Sequence, residues 1–326
     1  MRDSLAPGVW GVVATPFQGS ALDVDADSLA GLVAYYEAIG ATGLTVLGVF
    51  GEAAALTAAE RNLVLEVAVE ETRLPLVVGV TSLYTGTAVE EIRAIQAAVG
   101  DRLAAVMVQA NSSHPGVVTA HLNAIHQSTG ASVVLQDYPL ASGVSISTQS
   151  LITVVQACGF VIAVKAEAPP TSPAIAELTA AVDVSIFGGL GGQGLLDELQ
   201  AGAAGAMTGF SFPEALIACV RAWQRDGYPA ARDALLPYLP LINFEQQARI
   251  ALAIRKECLR ERGLIADAGV RAPAAQFPEV LRTALRTHLA EAAEALGPHP
   301  ALSQHSALTT HSALTQHPAP TTAGRL

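Results

Sequence analysis

The chain is poor in charged and aromatic residues. Of its 326 residues, 14% are charged and 5% aromatic, and 29 acidic residues against 18 basic ones give a net charge of −11. Nucleic acids and anionic membrane surfaces select basic proteins, so this balance argues against both as partners. The three cysteines form no C-x-x-C pair, which excludes a disulfide framework and disfavours a zinc site. With no signal-peptide core and no membrane-length apolar run, we expect a cytoplasmic protein.

Lysine is scarcer still. Only Lys165 and Lys256 are lysines, and the other 16 basic residues are arginines. Lys165 ends the apolar, strand-like run that begins at Val161. Burial favours the neutral amine, which can attack a carbonyl carbon and form a Schiff base. We therefore predict a catalytic lysine at this position, and the alternative is a structural ion pair with Glu167.

Short β-branched runs alternate with Ala/Leu-rich helical segments over about 210 residues. There are eight such runs: Val9–Val13, Gly43–Leu47, Leu76–Val80, Ala104–Val108, Ser132–Gln136, Val161–Lys165, Val184–Phe187 and Gly205–Thr208. Eight strands alternating with helices predict a (β/α)8 TIM barrel. An open, doubly wound sheet is the alternative, but no G-x-G-x-x-G motif follows the first run.

Beyond Pro213 the pattern is helical only. We predict helices over 214–225, 230–239, 243–262 and 277–296, of which the first completes the barrel. This gives a barrel over 1–225 and a C-terminal helical extension over 226–297. The composition then changes, and a six-residue near-repeat beginning at His305 and His311 predicts a disordered low-complexity tail over 298–326.

Several short motifs occur in the same order as in a known family. They are Gly8-Val-Trp with Thr15-Pro-Phe, then Gly48-Val-Phe-Gly-Glu52, Tyr138-Pro with Gly143, Lys165, and Gly202-Ala-Ala-Gly205. Together they resemble the dihydrodipicolinate synthase/N-acetylneuraminate lyase family over roughly Pro7 to Leu296. The resemblance implies a (β/α)8 barrel, an imine between Lys165 and a 2-oxo acid, and a homo-oligomer, either a tetramer or a dimer. It also implies that the segment from Gly48 to Gly51 binds the substrate carboxylate.

The departures from the family pattern are informative. The two threonines of the family signature are Val49 and Phe50 here, so only backbone N–H groups remain to bind a carboxylate at that turn. The family's proton-relaying tyrosine aligns with Gln136. Tyr138 lies two residues further on the same strand face and could substitute for it. The second relay tyrosine, which a neighbouring subunit provides in the synthases, falls near Ser112.

Other groups could bind substrate or move protons. Glu167 lies two residues beyond Lys165 and could shuttle a proton near the imine, or be a solvated carboxylate at the barrel rim. The glycine-rich segment that contains Gly189 is either a tight rim loop or an anion-binding nest. Thr208 could line the pocket. We interpret Glu52 as a helix cap.

No arginine occurs between Arg102 and Arg221, so the loops after strands four to eight provide none for a second carboxylate. A dicarboxylic condensation partner such as aspartate semialdehyde is therefore disfavoured. We expect a lyase that cleaves or condenses a pyruvate-type 2-oxo acid through Lys165, without a cofactor or a metal. Two alternatives remain: a dehydratase of a 2-oxo-3-deoxy sugar acid acting through the same imine, and a barrel that binds a 2-oxo acid without turnover.

Overall fold

The computed structural model describes residues 4–298, so the predicted tail, apart from residue 298, lies outside the described residues. Ten strands are found in that range: β1 (Gly8–Val12), β2 (Phe17–Gln18), β3 (Asp23–Val24), β4 (Gly43–Val46), β5 (Leu76–Gly79), β6 (Leu103–Gln109), β7 (Val133–Asp137), β8 (Val161–Ala166), β9 (Ser185–Gly188) and β10 (Gly205–Thr208). All but β2 and β3 form one closed parallel barrel, in which β10 pairs with β1 and β1 with β4. The predicted TIM barrel and its eight strands are confirmed.

Helices separate the barrel strands. They are α1 (Ala26–Ala38), α2 (Ala58–Glu71), α3 (Thr85–Val99), α4 (Pro115–Thr129), α5 (Pro139–Ser142), α6 (Thr148–Ala157), α7 (Thr171–Ala181), α8 (Leu195–Gln200) and α9 (Pro213–Asp226). Several begin at residues that cap them. Thr57 and Glu60 form a capping box at α2, and the Asp25 carboxylate accepts a hydrogen bond from the Ser28 N–H at α1.

Strand residues are buried almost throughout, as expected where helices cover a parallel sheet. Trp10, Phe187 and Met207 are among the buried residues of the barrel strands. The antiparallel hairpin of β2 and β3 was missed, because two-residue strands carry no readable periodicity.

The helices after the barrel are α10 (Tyr228–Leu235), α11 (Leu239–Glu245), α12 (Ala251–Glu261) and α13 (Arg282–Leu296). The single helix predicted over 243–262 is wrong: the chain leaves the helix after Glu245 and re-enters it at Ala251. Within this break, Arg249 has a positive φ of 70°, which is incompatible with a continuous helix. The last helix begins at Arg282, five residues later than predicted. Among residues 4–298, every helix is too short or too polar to cross a membrane.

Candidate active site

Lys165 lies near the carboxyl end of β8, where TIM barrels place their reactive groups. Its neighbours in the strand register are Gln136 on β7 and Phe187 on β9. Only 5% of Lys165 is exposed. A buried, cationic side chain in an otherwise apolar strand requires a partner, because an isolated charge is strongly disfavoured away from water.

That partner is Glu167. The Lys165 Nζ lies 3.0 Å from Glu167 Oε2, and Gln136 Nε2 donates to the same oxygen at 2.7 Å. The other carboxylate oxygen accepts a longer bond, of 3.4 Å, from the Leu190 N–H. Glu167 is 5% exposed, so the interpretation as a solvated rim carboxylate is wrong. The lysine, the glutamate and the glutamine form one buried polar cluster.

The glycine-rich loop after β9 wraps around this carboxylate. A Cβ added to Gly189 would collide with the Glu167 side chain, so only glycine allows the loop to approach so closely. The anion faced by this loop is thus Glu167 itself, through the N–H of Leu190. The loop is further tied to the barrel by the Gly191 N–H, which donates to Thr208 Oγ1 at 2.8 Å.

A cavity of about 160 Å³ opens onto the cluster. It brings together most of the residues predicted to be catalytic or substrate-binding: Gln136, Tyr138, Lys165, Glu167, Thr208, Val49 and Phe50. Gly48 lines a larger cavity of about 590 Å³, to which Val49 and Gln136 also contribute. The two cavities therefore share Val49 and Gln136 as lining residues.

Tyr138 and Asp137 differ in their surroundings. Tyr138 is half-buried and lines the smaller cavity; burial, with a further effect of Glu167, raises the pKa of its phenol. Asp137 is buried, and burial together with Glu167 raises its pKa to about 6. A phenol with a raised pKa is a weak acid and is rarely ionised at neutral pH. Tyr138 can therefore donate a hydrogen bond into the cavity more readily than it can act as a base.

Three predicted binding residues lie outside the linings of both cavities. Gly51 instead accepts a hydrogen bond from Thr15 Oγ1 at 2.7 Å through its carbonyl oxygen. Gly189 packs closely against the Glu167 side chain, as described above. Ser112 lies in the loop after β6, where its Oγ accepts a bond from the His114 N–H. In a single chain, the structure does not bring Ser112 to Lys165.

Glu52 is not a helix cap. It precedes a 3₁₀ turn over Ala53–Ala55 without a capping side-chain bond. Its carboxylate instead accepts bonds from Lys256 Nζ at 2.8 Å and from the Arg271 N–H at 2.9 Å. Lys256 lies on α12, 204 residues away, so no local pattern could have predicted this pairing.

Sequence reasoning also missed two cationic or polar groups in the smaller cavity. Arg255 of α12 and Gln246, just after α11, both line it. The loops after strands four to eight provide no arginine, as the sequence shows, but Arg255 reaches the site from another part of the chain. Arg255 lies on α12, one of the C-terminal helices. Its place next to Lys256, the second of the two lysines, was the available signal.

Across residues 4–298, no three His, Cys, Asp or Glu side chains are grouped so that they could hold a metal ion. The site is thus built from an amine, a carboxylate, an amide, a phenol and a guanidinium. The sequence profile of the Dihydrodipicolinate synthetase family matches residues 6–292. The chain belongs to this family. It is a lyase of that family with a TIM-barrel fold.

Individual members resemble the chain over most of its length. The L-2-keto-3-deoxyarabonate dehydratase of Azospirillum brasilense is 29% identical over 304 residues, which cover 89% of this chain and 94% of the dehydratase. The 4-hydroxy-tetrahydrodipicolinate synthase of Kineococcus radiotolerans is 28% identical and covers 81% of this chain and 86% of its own. The crystal structure of dihydrodipicolinate synthase from Rhodopseudomonas palustris superposes with a TM-score of 0.82 at 28% identity, covering 89% and 98% of the two chains.

Proposed function

We propose that this lyase dehydrates a 2-oxo-3-deoxy sugar acid through a Schiff base on Lys165. The observation that carries the proposal is the buried contact of 3.0 Å between Lys165 Nζ and Glu167 Oε2 at the wall of a cavity. A carboxylate in this position can move protons at the imine and at the carbon next to it. The similarity to a keto-deoxyarabonate dehydratase over 89% of the chain supports the same choice.

The contact with Glu167 supports imine formation first. Glu167 takes a proton from the Lys165 ammonium, and the neutral amine attacks the ketone carbon C2 of the substrate. The carbinolamine hydroxyl then leaves as water with a proton that Glu167 returns. Glu167 is a carboxylate again at the end of this step, and the iminium on Lys165 withdraws electrons from C3.

Elimination can use the same carboxylate. Glu167 takes a proton from C3, and the C3–H electron pair forms the enamine. The enamine electrons then expel the C4 hydroxyl, which leaves as water with the proton held by Glu167. Hydrolysis of the imine releases the dehydrated 2-oxo acid and the free amine. Gln136 keeps the carboxylate oriented throughout through its hydrogen bond of 2.7 Å.

The position of Glu167 alone does not separate dehydration from aldol cleavage, because a carboxyl group that protonates the C4 hydroxyl is also placed to take a proton from it. The similarity to the keto-deoxyarabonate dehydratase favours dehydration. Glu167 contacts Lys165 Nζ directly, and the family's relay tyrosine is replaced by Gln136. Because this relay tyrosine is absent, we expect slow condensation of pyruvate with aspartate semialdehyde.

The test is product analysis with a 2-oxo-3-deoxypentonate. Dehydration gives one product that is lighter than the substrate by one water, whereas aldol cleavage gives pyruvate and a two-carbon aldehyde. We expect the first by mass spectrometry, and its loss in Lys165→Ala. Pyruvate and an aldehyde would establish the aldolase instead. Trapping of the substrate on Lys165 without turnover would establish a barrel that only binds 2-oxo acids.

We also propose a cytoplasmic homo-oligomer. The three cysteines are free and buried, which suits a reducing compartment. The family resemblance implies the homo-oligomer, and several large apolar side chains that a subunit contact can cover are exposed, among them Tyr84 by 81% and Val117 by 51%. Light scattering coupled to size exclusion should give a dimer or tetramer, and a monomer at micromolar concentration would contradict the proposal.

A further inference from the structure

Two hydrogen-bond donors converge on the glycine loop in the smaller cavity. A Cβ added to Gly191 would collide with Gln246 Nε2 and would lie 3.0 Å from Arg255 Nη2. Gly191 itself has a φ of 67°, a conformation that favours glycine, so this point stays free of a side chain. The two donors come from the two sides of the break between α11 and α12.

Both side chains retain unused donors. Within residues 4–298, the buried Gln246 Nε2 and Arg255 Nε have no hydrogen-bond partner. Arg255 Nε lies 3.5 Å from Glu245 Oε2, an ion-pair distance without hydrogen-bond geometry. Burial raises the pKa of Glu245 to about 7, so the charge of Arg255 is only partly offset near neutral pH. Buried donors without acceptors are costly and are expected where a ligand completes them.

This part of the cavity lacks the hydroxyl donors of the family signature. Phe50 takes the place of a signature threonine, and the Arg255 guanidinium lies over its ring, 5.5 Å from the centroid. Phe50, Arg255 and Lys165 line one cavity of about 160 Å³. A 2-oxo acid bound to Lys165 carries its carboxylate one bond from the imine carbon. That carboxylate can therefore lie in this small cavity, which Gln246 and Arg255 also line.

We propose that Arg255, assisted by Gln246, binds the C1 carboxylate of the 2-oxo acid attached to Lys165, replacing the missing hydroxyls of the signature turn. This assignment rests on the proposed Schiff base. A guanidinium and an amide together present N–H groups that can donate hydrogen bonds to a planar carboxylate. The remainder of the substrate then extends past Val49 and Gln136 into the larger cavity.

The experiment compares pyruvate with pyruvamide, which has the same shape but no charge. Each is trapped on the enzyme with borohydride at increasing concentration, in the wild type, in Arg255→Gln and in Arg255→Lys. We expect Arg255→Gln to raise the half-saturating pyruvate concentration by about 10- to 100-fold and to change that of pyruvamide by less than about threefold. Arg255→Lys should restore much of the pyruvate affinity. Arg225→Gln, an exposed arginine on α9, is the matched control.

The outcomes separate the possibilities. If Arg255→Gln raises the half-saturating concentrations of pyruvate and pyruvamide equally, or changes neither, the carboxylate assignment is overturned. If Arg255→Gln weakens binding only of the longer 2-oxo-3-deoxy acid, the carboxylate assignment is also overturned, and Arg255 instead contacts the substrate tail. If Arg255→Gln does not fold, Gln246→Glu tests the same site, because its added charge should weaken pyruvate more than pyruvamide. Absence of trapping in the wild type overturns the proposed function itself.

Discussion

The only two lysines of the chain lie in two buried pairs with glutamate that look alike at first sight. Lys165 contacts Glu167 at 3.0 Å, and Lys256 contacts Glu52 at 2.8 Å. The Lys256 side chain is fully buried and that of Lys165 is 6% exposed. Distance and burial alone therefore do not separate a reactive amine from a structural one.

Their surroundings separate them. Lys165 lines a cavity that also contains Glu167, so a substrate carbonyl can reach the amine. Lys256 lines neither the smaller nor the larger cavity. Its Nζ lies 4.1 Å from the centroid of the Phe17 ring, and Glu52 is also bound by the Arg271 backbone. Burial lowers the pKa of Lys256, although Glu52 opposes this. A buried lysine is thus useful for catalysis only where the site admits a substrate.

Removing Lys165 should have the largest effect. Lys165→Met should lower kcat by at least about 10⁴-fold, because the covalent intermediate can no longer form. Far-UV circular dichroism should be unchanged, since the methionine fills a similar volume. The measurement is steady-state dehydration of the 2-oxo-3-deoxy acid. Substantial remaining turnover would show that another amine carries the reaction.

Glu167→Gln keeps the shape of the carboxyl but cannot take a proton. We expect kcat to fall by about 10²- to 10⁴-fold while pyruvate is still trapped, if slowly. The matched control is Glu52→Gln, which alters the other lysine–glutamate pair. Glu52 also lines the larger cavity, so KM can change, but kcat should stay within about threefold. If the two variants lose activity equally, the distinction between the pairs is wrong.

Much of this contrast could be predicted from the sequence. The β-branched runs gave the eight strands, and the placement of a rare lysine at the end of one gave Lys165. Strand alternation put Gln136 and Tyr138 on one face, and both line the cavity. The features that the sequence did not predict depend on tertiary packing: the Glu52–Lys256 pair joins residues 204 apart, and Arg255 reaches the site from α12, outside the barrel.

Removing Lys256 should affect stability and not chemistry. Lys256→Met leaves the buried Glu52 with only the Arg271 backbone donor, and breaking a buried pair costs about 3–5 kcal/mol of the free energy of unfolding. Trapping of pyruvate on Lys165 should be unchanged in the folded protein. Urea denaturation checks the first expectation, with Arg225→Gln, at an exposed arginine, as the reference variant. Stability equal to that of the wild type would mean that the second pair is not structural.

The buried carboxyl group of Glu198 should make the free energy of unfolding depend on pH. Burial is the main cause that raises the pKa of Glu198 to about 7 from 4.5, with Glu167 and Asp197 adding to it and Thr171 opposing it. The native state then holds this proton more tightly than the unfolded state. Its stabilising effect is present below pH 4.5 and is lost as the pH rises through 7, by up to about 3 kcal/mol.

Glu198→Gln should remove this dependence. The free energy of unfolding of the wild type, relative to the variant, should decrease between about pH 4.5 and 7 and level off above that range. Urea denaturation at several pH values measures it, and Glu177→Gln, an exposed glutamate of α7, is the control. A difference that rises with pH would reverse the assignment for Glu198.

The central claim is that the cavity, and not burial, selects the reactive lysine, and one measurement tests it directly. The wild-type protein is incubated with pyruvate and borohydride, digested, and analysed by mass spectrometry at both lysine-containing peptides. We predict one reduced pyruvate adduct on the peptide that carries Lys165 and none on the peptide that carries Lys256. An adduct on Lys256, or none on either lysine with any 2-oxo acid, would contradict the account.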